Sequence, residues 1–139
     1  MHERLFTIDT HCDTPTASLM KRGWDFSARH DFLLDGSQCD LPRLREGGMD
    51  AMVFAVYVPQ AARTPAGNAV VHEMALRVLE RTLAVLRENS ASCGLATTAN
   101  EALQLKAEGR RAIFLSLENA YSIGRDIAHV EKLSRALIT

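Results

Sequence analysis

The chain has 139 residues, of which 47% are hydrophobic and 24% are charged, and its formal net charge is −1 at pH 7. This composition is typical of a globular protein, and the length suits one domain with a buried core. The balanced charge argues against a nucleic-acid partner. No apolar run reaches the roughly 18 residues of a membrane-spanning helix. We therefore expect a globular protein that binds no nucleic acid and has no membrane segment.

The cysteines give an indication of the cellular compartment. There are three, at positions 12, 39 and 93, and no pair has the Cys-x-x-Cys spacing of a zinc ribbon or a redox motif. An odd number of cysteines also argues against a disulfide framework. The first residues contain an early acid and no apolar stretch long enough for a secretory signal. Together these features predict free thiols and a cytoplasmic location.

The first third of the chain predicts two helices and one strand. Residues 5–9 are expected to form a short strand, and Thr14 and Pro15 to begin a helix that carries Leu19 and Met20. Residues 24–37 have mixed polarity and are expected to form a long loop. Residues 40–48 predict a compact helix with Asp40 as its N-cap, a proline in its first turn and glycines at its end.

The remaining elements alternate between strands and helices. Residues 51–58 form an almost unbroken apolar run, which is typical of a strand buried on both faces. Helical spacing follows over residues 69–88, and Thr98 and Glu101 form a capping-box pattern before a helix that ends near Glu108. A strand over residues 111–118 precedes a last helix from about residue 126, with an apolar stripe of Ile127, Val130, Leu133 and Leu137. This order predicts an α/β fold with a parallel sheet, either open or closed into a barrel.

Polar side chains with catalytic potential follow the first strand. Alternation along an extended chain predicts that Asp9, His11 and Asp13 share one face, with Cys12 on the other. The carboxyl ends of parallel strands are where such folds place their active sites. An imidazole beside a carboxylate suits Zn²⁺ or a similar divalent ion. The pattern alone also fits a hydrogen-bonded His–Asp pair at the start of a loop.

Glu118 is the second candidate, because it ends the apolar strand of residues 111–118. By alternation it shares a face with Ala112, Phe114 and Ser116. A carboxylate at this position is costly unless it meets a cation, a metal or hydrogen-bond donors. The alternative is a solvated Glu118 that has left the strand or caps the helix that follows.

Several blocks of sequence resemble a known family in the same order. The blocks are Asp-Thr-His-Cys-Asp-Thr-Pro at 9–15, Gln-Cys-Asp-Leu-Pro-Arg-Leu-Arg-Glu-Gly-Gly-Met at 38–49, Val-Phe-Ala-Val-Tyr-Val-Pro at 53–59, and Leu-Ser-Leu-Glu-Asn-Ala at 115–120 with Ile-Gly at 123–124. They resemble the membrane (renal) dipeptidase family of zinc metallopeptidases, which are amidohydrolase-like (β/α)8 barrels. The resemblance covers nearly the whole chain, and the second block is long and specific.

The resemblance implies a metal site and a reaction. It assigns His11 and Asp13 as ligands of one zinc ion and Glu118 as the bridge between two zinc ions, with Asp9 as a supporting residue that orients a ligand. It implies that a hydroxide bridging the two ions hydrolyses dipeptides, including those with a C-terminal D-residue. The family's first block usually reads Asp-Gly-His-Asn-Asp, so Thr10 and Cys12 depart from it without replacing a ligand. Asn119 and Ala120 stand where glycines are common, which predicts less space beside the bridging carboxylate.

The length of 139 residues is short for the implied barrel, which needs about 200 residues or more. We therefore expect residues 1–139 to be the N-terminal part of a single barrel domain, inactive by itself. The histidines at positions 2, 30, 72 and 129 are expected to be surface or packing residues and not replacements for the missing ligands. Two alternatives stay open: another amidohydrolase-type metal hydrolase, and a non-catalytic partial barrel. Family members are often dimers, so a homodimer is a further expectation.

Overall fold

A computed structural model describes residues 4–138, with side chains described through Arg135. Its elements, in chain order, are β1 (Ile8–Cys12), a π-helical turn (Pro15–Leu19), α1 (Phe32–Asp35), α2 (Leu41–Glu46), β2 (Ala51–Val56), α3 (Pro65–Glu88), β3 (Cys93–Leu95), α4 (Ala99–Ala107), β4 (Arg111–Leu117) and α5 (Ala128–Ile138). The alternation of strands and helices confirms the predicted α/β class.

The four strands form one parallel sheet in the order β1-β2-β4-β3. β2 and β4 pair along their whole common length, from Ala51 opposite Ala112 to Val56 opposite Leu117. β3 pairs only with the first three residues of β4. Parallel strands that alternate with helices agree with the expected part of a (β/α)8 barrel.

One face of the sheet is covered by helices. Alternate residues of β2 and β4 pack there against α3 and the segments before α2, in two adjoining clusters. The buried strand residues of this helix-covered face are Met52, Phe54, Val56 and Ile113. The opposite face carries Ala51 and Ala112, which contact α4, and then the half-buried Val53, Phe114 and Ser116. The second face therefore leads, at the carboxyl ends of the strands, to Glu118.

The predicted compact helix is α2, and its N-cap is a fully buried carboxylate. Asp40 Oδ1 accepts a hydrogen bond from the backbone N–H of Arg43, as a capping residue does. Its Oδ2 accepts from Arg43 Nε and from the backbone N–H of His30. The long sequence block around Asp40 thus fixes the loop that precedes β2, so its role here is structural.

The first strand differs from its prediction in position and burial. It runs over Ile8–Cys12 instead of residues 5–9, and Leu5 and Phe6 are exposed. Its residues are exposed except for the half-buried Cys12, because among the described elements β1 pairs with β2 alone and is an edge strand. His11 consequently lies within the strand and not after it.

The other helices show where local sequence patterns predicted the structure correctly and where they did not. α3 and the capping box of α4 are confirmed, with Thr98 accepting from the Glu101 N–H. The 24–37 segment contains the short helix α1, so it is not entirely a loop. In α5, Leu133 is buried, but Val130 is 47% exposed and Ile127, which precedes the helix, is 85% exposed. The side chain of Leu137 lies outside the described residues.

Within residues 4–138, none of the helices combines the length and the apolar character needed to cross a bilayer.

Candidate metal centre

Three predicted ligands meet at the carboxyl ends of β1 and β4. His11 Nε2 lies 3.4 Å from Asp13 Oδ1 and 3.3 Å from Glu118 Oε2. One ligand atom from each residue falls within 4.8 Å of the others. Among the described residues, these three side chains form the group whose ligand atoms lie close enough together to hold one metal ion.

A bulge in β1 directs these side chains. Asp9 pairs with Met52 and Cys12 with Phe54, so three steps along β1 match two steps along β2. Such a bulge inserts an extra residue and changes the direction of the side chains after it. Asp9 and Cys12 therefore both pair with β2 residues, Met52 and Phe54, whose side chains lie on the helix-covered face. His11 and Asp13 come together as predicted, and Asp9 lines the same cavity as both.

Asp9 acts on the backbone of the bulge. Its Oδ1 accepts a hydrogen bond of 3.0 Å from the backbone N–H of His11. This contact fixes the peptide that carries the imidazole and leaves both ring nitrogens of His11 unconstrained by Asp9. The carboxylate is exposed, so it has no need of a metal for its own solvation.

Glu118 has an oxygen atom that lacks a partner. It follows directly after β4, and its backbone N–H bonds to the carbonyl of Val56. Its Oε2 is buried and accepts no hydrogen bond, although His11 Nε2 is 3.3 Å away. A buried carboxylate oxygen without donors is costly, although the Glu118 side chain as a whole is 39% exposed, so the alternative of a solvated glutamate stays open. A cation bound at this point would remove that cost.

The separations fit a metal ion. Two ligand atoms bound to zinc at about 2.1 Å with tetrahedral angles lie about 3.4 Å apart. The distances of 3.3 and 3.4 Å from His11 Nε2 to the two carboxylate oxygens match this value. One nitrogen and two oxygens also form a donor set that suits zinc. The two separations from His11 therefore fit a divalent metal, and the third, between Asp13 and Glu118, lies within 4.8 Å.

Asn119 forms the turn that follows Glu118. Its φ is +56°, a left-handed conformation that asparagine tolerates better than most residues and that glycine adopts freely. Its Nδ2 donates to the carbonyl of Val58, and its Oδ1 accepts from the N–H of Tyr121. This φ value explains why a glycine suits position 119, and the asparagine side chain stabilises the turn.

Cys12 and a second thiol, Cys39, line the same cavity, which the sequence did not predict. Cys39 Sγ donates to Met52 Sδ at 3.5 Å, and the nearby Cys39 thiol is the main cause that lowers the pKa of Cys12. Thr14 Oγ1 lies 3.1 Å from Cys12 Sγ. Nothing in the sequence pattern signals this pair, because the two cysteines are far apart along the chain. Cys12 is half-buried and packs against the core cluster.

The remaining histidines stay outside the site. His72 is buried, and its ring stacks on that of His129 at 3.9 Å between centroids. Their Nδ1 atoms bond to the carbonyls of Ser122 and Ile123, so the pair packs α3 against α5 as predicted. His30 stacks on Trp24 in the loop before α2. His2 lies outside the described residues.

Comparison with known proteins gives the family. The model of the membrane dipeptidase family, peptidase family M19, matches residues 1–137. No curated protein sequence matches the chain. Among solved structures, the probable dipeptidase PvdM from Pseudomonas aeruginosa aligns with a TM-score of 0.82 and 20% identity over 97% of this chain and 33% of its own.

Two further solved structures give the same result. A dipeptidase described as a family M19 metallopeptidase has a TM-score of 0.75 and 24% identity, over 94% of this chain and 40% of its own. A metallopeptidase from Rhodobacter sphaeroides, bound to a phosphinate mimic of the dipeptide L-Ala-D-Ala, has a TM-score of 0.74 and 23% identity over 93% and 42%. The chain spans a third to two-fifths of the length of these structures. On the match over residues 1–137, the chain belongs to the membrane dipeptidase family, peptidase family M19.

Proposed function

We propose that the protein to which this chain belongs is a metal-dependent dipeptidase, and that His11, Asp13 and Glu118 hold metal in its active site. The observation that supports this most directly is the convergence of three ligand atoms within 4.8 Å, one of them on a carboxylate oxygen that otherwise has no partner. The family match supports the same reaction class.

The metal and its number are part of the proposal. Two zinc ions, when bound, would lower the pKa of a shared water toward neutrality and polarise the peptide carbonyl. His11 and Asp13 would ligate one ion, and Glu118 would bridge to the second. Further ligands for a second ion are not found among the described residues. Asp9 contributes by holding the His11 peptide in the bulge.

The proposed substrates are dipeptides, including those with a D-residue at the C-terminal position. The Rhodobacter sphaeroides metallopeptidase binds a mimic of L-Ala-D-Ala, and its fold matches this chain. The half-buried second face of the sheet, with Val53, Phe114 and Ser116, leads to Glu118 and offers a mixed apolar and polar surface. We also propose a cytoplasmic location, which the three free thiols support. The homodimer stays a prediction.

Zinc binding by the chain tests the site. We expect His11→Ala to weaken zinc binding by at least roughly tenfold, because it removes the only nitrogen ligand of the group. The measurement is competition with a chromophoric chelator, with retention of the fold checked by circular dichroism. Glu80→Gln changes an exposed glutamate on α3 and is the matched control. Equal affinity in His11→Ala and the parent chain would refute the proposed ligand set.

Hydrolysis tests the activity separately. The protein that contains this chain together with the rest of its domain is expected to release free amino acids from L-Ala-D-Ala and L-Ala-L-Ala. His11→Ala and Glu118→Ala in that protein should abolish release while leaving the circular dichroism spectrum unchanged. Turnover that persists in both variants, or after complete chelation of metal, would exclude this mechanism.

A further inference from the structure

A second cavity lies between the loop after β2, the start of α3 and the loop after β4. Its volume is about 360 Å³, which is sufficient for a small molecule. Two arginines line it, Arg63 and Arg125, together with the carboxamides of Gln60 and Asn68. Among the described residues that line this cavity, none is acidic. The cavity therefore presents two positive charges and several hydrogen-bond donors.

No carboxylate neutralises the two arginines. Neither Arg63 nor Arg125 has a hydrogen-bond or ion-pair partner in the described part of the chain. The acid that follows Arg125 in the sequence, Asp126, is directed elsewhere. Its Oδ1 accepts a hydrogen bond from the Ala128 N–H, and its Oδ2 lies 3.9 Å from His129 Nε2. An anion bound in the cavity would supply the missing partner and reduce the repulsion between the two like charges.

The backbone on both sides of Arg63 is held in place. The carbonyl of Ala62 accepts hydrogen bonds from the Tyr121 hydroxyl at 2.7 Å and from the Thr64 N–H at 2.9 Å. Thr64 is the N-cap of α3, and its hydroxyl accepts from the Gly67 N–H. The loop after β2 is thus bound both to α3 and to the loop after β4. A ligand need not order this loop in order to bind, which favours affinity.

A glycine forms another part of the cavity wall. Gly124 has a φ of +66°, in the left-handed region that favours glycine. A Cβ atom at this position would lie 3.2 Å from the Cβ and the Nδ2 of Asn68. The bare backbone at position 124 therefore leaves room for the Asn68 carboxamide at the cavity wall.

The cavity shares no lining residue with the cavity of His11 and Asp13. Tyr121, which lines it, packs against α3 on the helix-covered side of the sheet. Glu118 instead lies at the end of the opposite face. A ligand beside Arg63 and Arg125 is therefore expected to bind without contacting the proposed metal ligands.

We propose that Arg63 and Arg125 bind a phosphate or carboxylate group of a small molecule other than the dipeptide substrate. A guanidinium group donates two parallel N–H bonds to such an oxyanion, and the carboxamides of Gln60 and Asn68 donate further hydrogen bonds. The chain as a whole has a net charge of −1 and does not attract anions in general. The attraction arises from the two arginines that meet in this cavity.

Anion binding tests the site. Isothermal titration calorimetry in a phosphate-free buffer is expected to show saturable binding of inorganic phosphate or of succinate by the parent chain. Arg63→Gln and Arg125→Gln should each weaken binding at least roughly tenfold, because each removes a charge-assisted contact. Arg77→Gln removes the same charge from an exposed position elsewhere on α3 and is the matched control. Since these side chains are exposed, the circular dichroism spectrum should not change.

Two calorimetric results would overturn the inference. The first is a parent chain that binds neither anion saturably. The second is equal affinity in the parent chain and in the double variant Arg63→Gln, Arg125→Gln.

Chemical modification locates the bound anion. Phenylglyoxal reacts with exposed guanidinium groups, and peptide mass spectrometry gives the rate at each arginine. Phosphate at about ten times its dissociation constant should slow the modification of Arg63 and Arg125 roughly tenfold, since only the free site reacts. The rate at Arg77 should not change. Equal protection of all three arginines, or protection of Arg77 alone, would overturn the assignment.

Hydrolysis distinguishes a separate ligand from an acidic substrate. In the protein that contains the rest of the domain, Arg125→Gln should leave the ratio of kcat/KM for L-Ala-L-Glu and L-Ala-L-Gln unchanged. A selective rise in KM for L-Ala-L-Glu would show that the cavity holds the side chain of a substrate, and would overturn the assignment to a separate molecule. A protein that hydrolyses neither dipeptide would contradict the proposed function, whereas calorimetry and phenylglyoxal modification would still decide the anion site.

Discussion

Asp40 is a fully buried carboxylate whose hydrogen-bond donors lie both before and after it in the chain. It caps α2 through the Arg43 N–H, pairs with the Arg43 guanidinium and accepts from the His30 N–H. Arg43 in turn donates to the carbonyl of Ser37. A buried charge is tolerated only when it is paired and hydrogen-bonded, and every one of these contacts serves that purpose. The most specific block of the sequence therefore encodes a structural network.

Removing this carboxylate is predicted to destabilise the fold strongly. Asp40→Ala should lower the free energy of unfolding by about 3–5 kcal/mol, because it leaves the Arg43 charge and the His30 N–H without their partner. Urea-induced unfolding followed by circular dichroism gives the value. Asp31→Ala is the matched control, since Asp31 caps the exposed helix α1, and it should cost about 1 kcal/mol. Equal losses in the two variants would show that Asp40 acts as a helix cap alone.

At the scale of elements, Asp50 connects three segments at the start of β2. Its Oδ2 accepts hydrogen bonds from the Thr7 N–H, ahead of β1, and from Lys106 Nζ on α4. Lys106 also donates to the carbonyl of Leu5, so the N-terminal segment is held against α4. Burial opposes ionisation of Asp50, but the hydrogen bonds from Lys106 and Thr7 outweigh it and lower the pKa below its ordinary value of 3.8.

This network predicts that acid weakens the fold. Because the folded pKa of Asp50 lies below 3.8, its contribution is complete above that pH and is lost as the pH falls further. The pKa values of Asp25, Asp35, Glu101 and Glu108 are lowered as well, which adds to the same trend. Asp50→Asn should lower the unfolding free energy by about 2 kcal/mol at pH 7 and by less at pH 3. Urea unfolding at both pH values checks this, and an equal loss at both would contradict it.

At the scale of the whole molecule, the sheet has open edges. Among the described residues, β1 pairs on one side only, and β3 leaves residues 114–117 of β4 unpaired on one side. The second face of the sheet is half-exposed at Val53 and Phe114, and Ile8 on β1 is 43% exposed. Open edges with apolar neighbours favour pairing with another chain. These features agree with a chain that spans a third to two-fifths of related structures.

The open edges predict self-association of the 139-residue chain. Size-exclusion chromatography with light scattering should show dimers or larger species at micromolar concentration. Thr10→Lys places a charge on the exposed edge strand and should shift the chain toward the monomer. Ala91→Lys adds the same charge in an exposed turn and serves as the control. A monomer in the parent chain, unchanged by Thr10→Lys, would contradict this account.

The sequence by itself determined the features that depend on local rules. The Asp40 cap, the Thr98–Glu101 capping box and the helical spacing of α3 were all predicted and found, because each depends on residues within a few positions of one another. The buried strands β2 and β4 followed from unbroken apolar runs, and their parallel arrangement from the alternation with helices. Since parallel strands end at one edge, the meeting of His11 with Glu118 could also be anticipated.

The tertiary structure alone decided the features that depend on which strand lies beside which. The β1 bulge between Asp9 and Cys12 is visible only in the register against β2. The exposure of β1 depends on its place at the sheet edge, and the cavity shared by Cys12 and Cys39 on the packing of a loop against that edge. Local propensity contains no information about such long-range pairings, because their free energy arises from groups that meet only after the chain has folded.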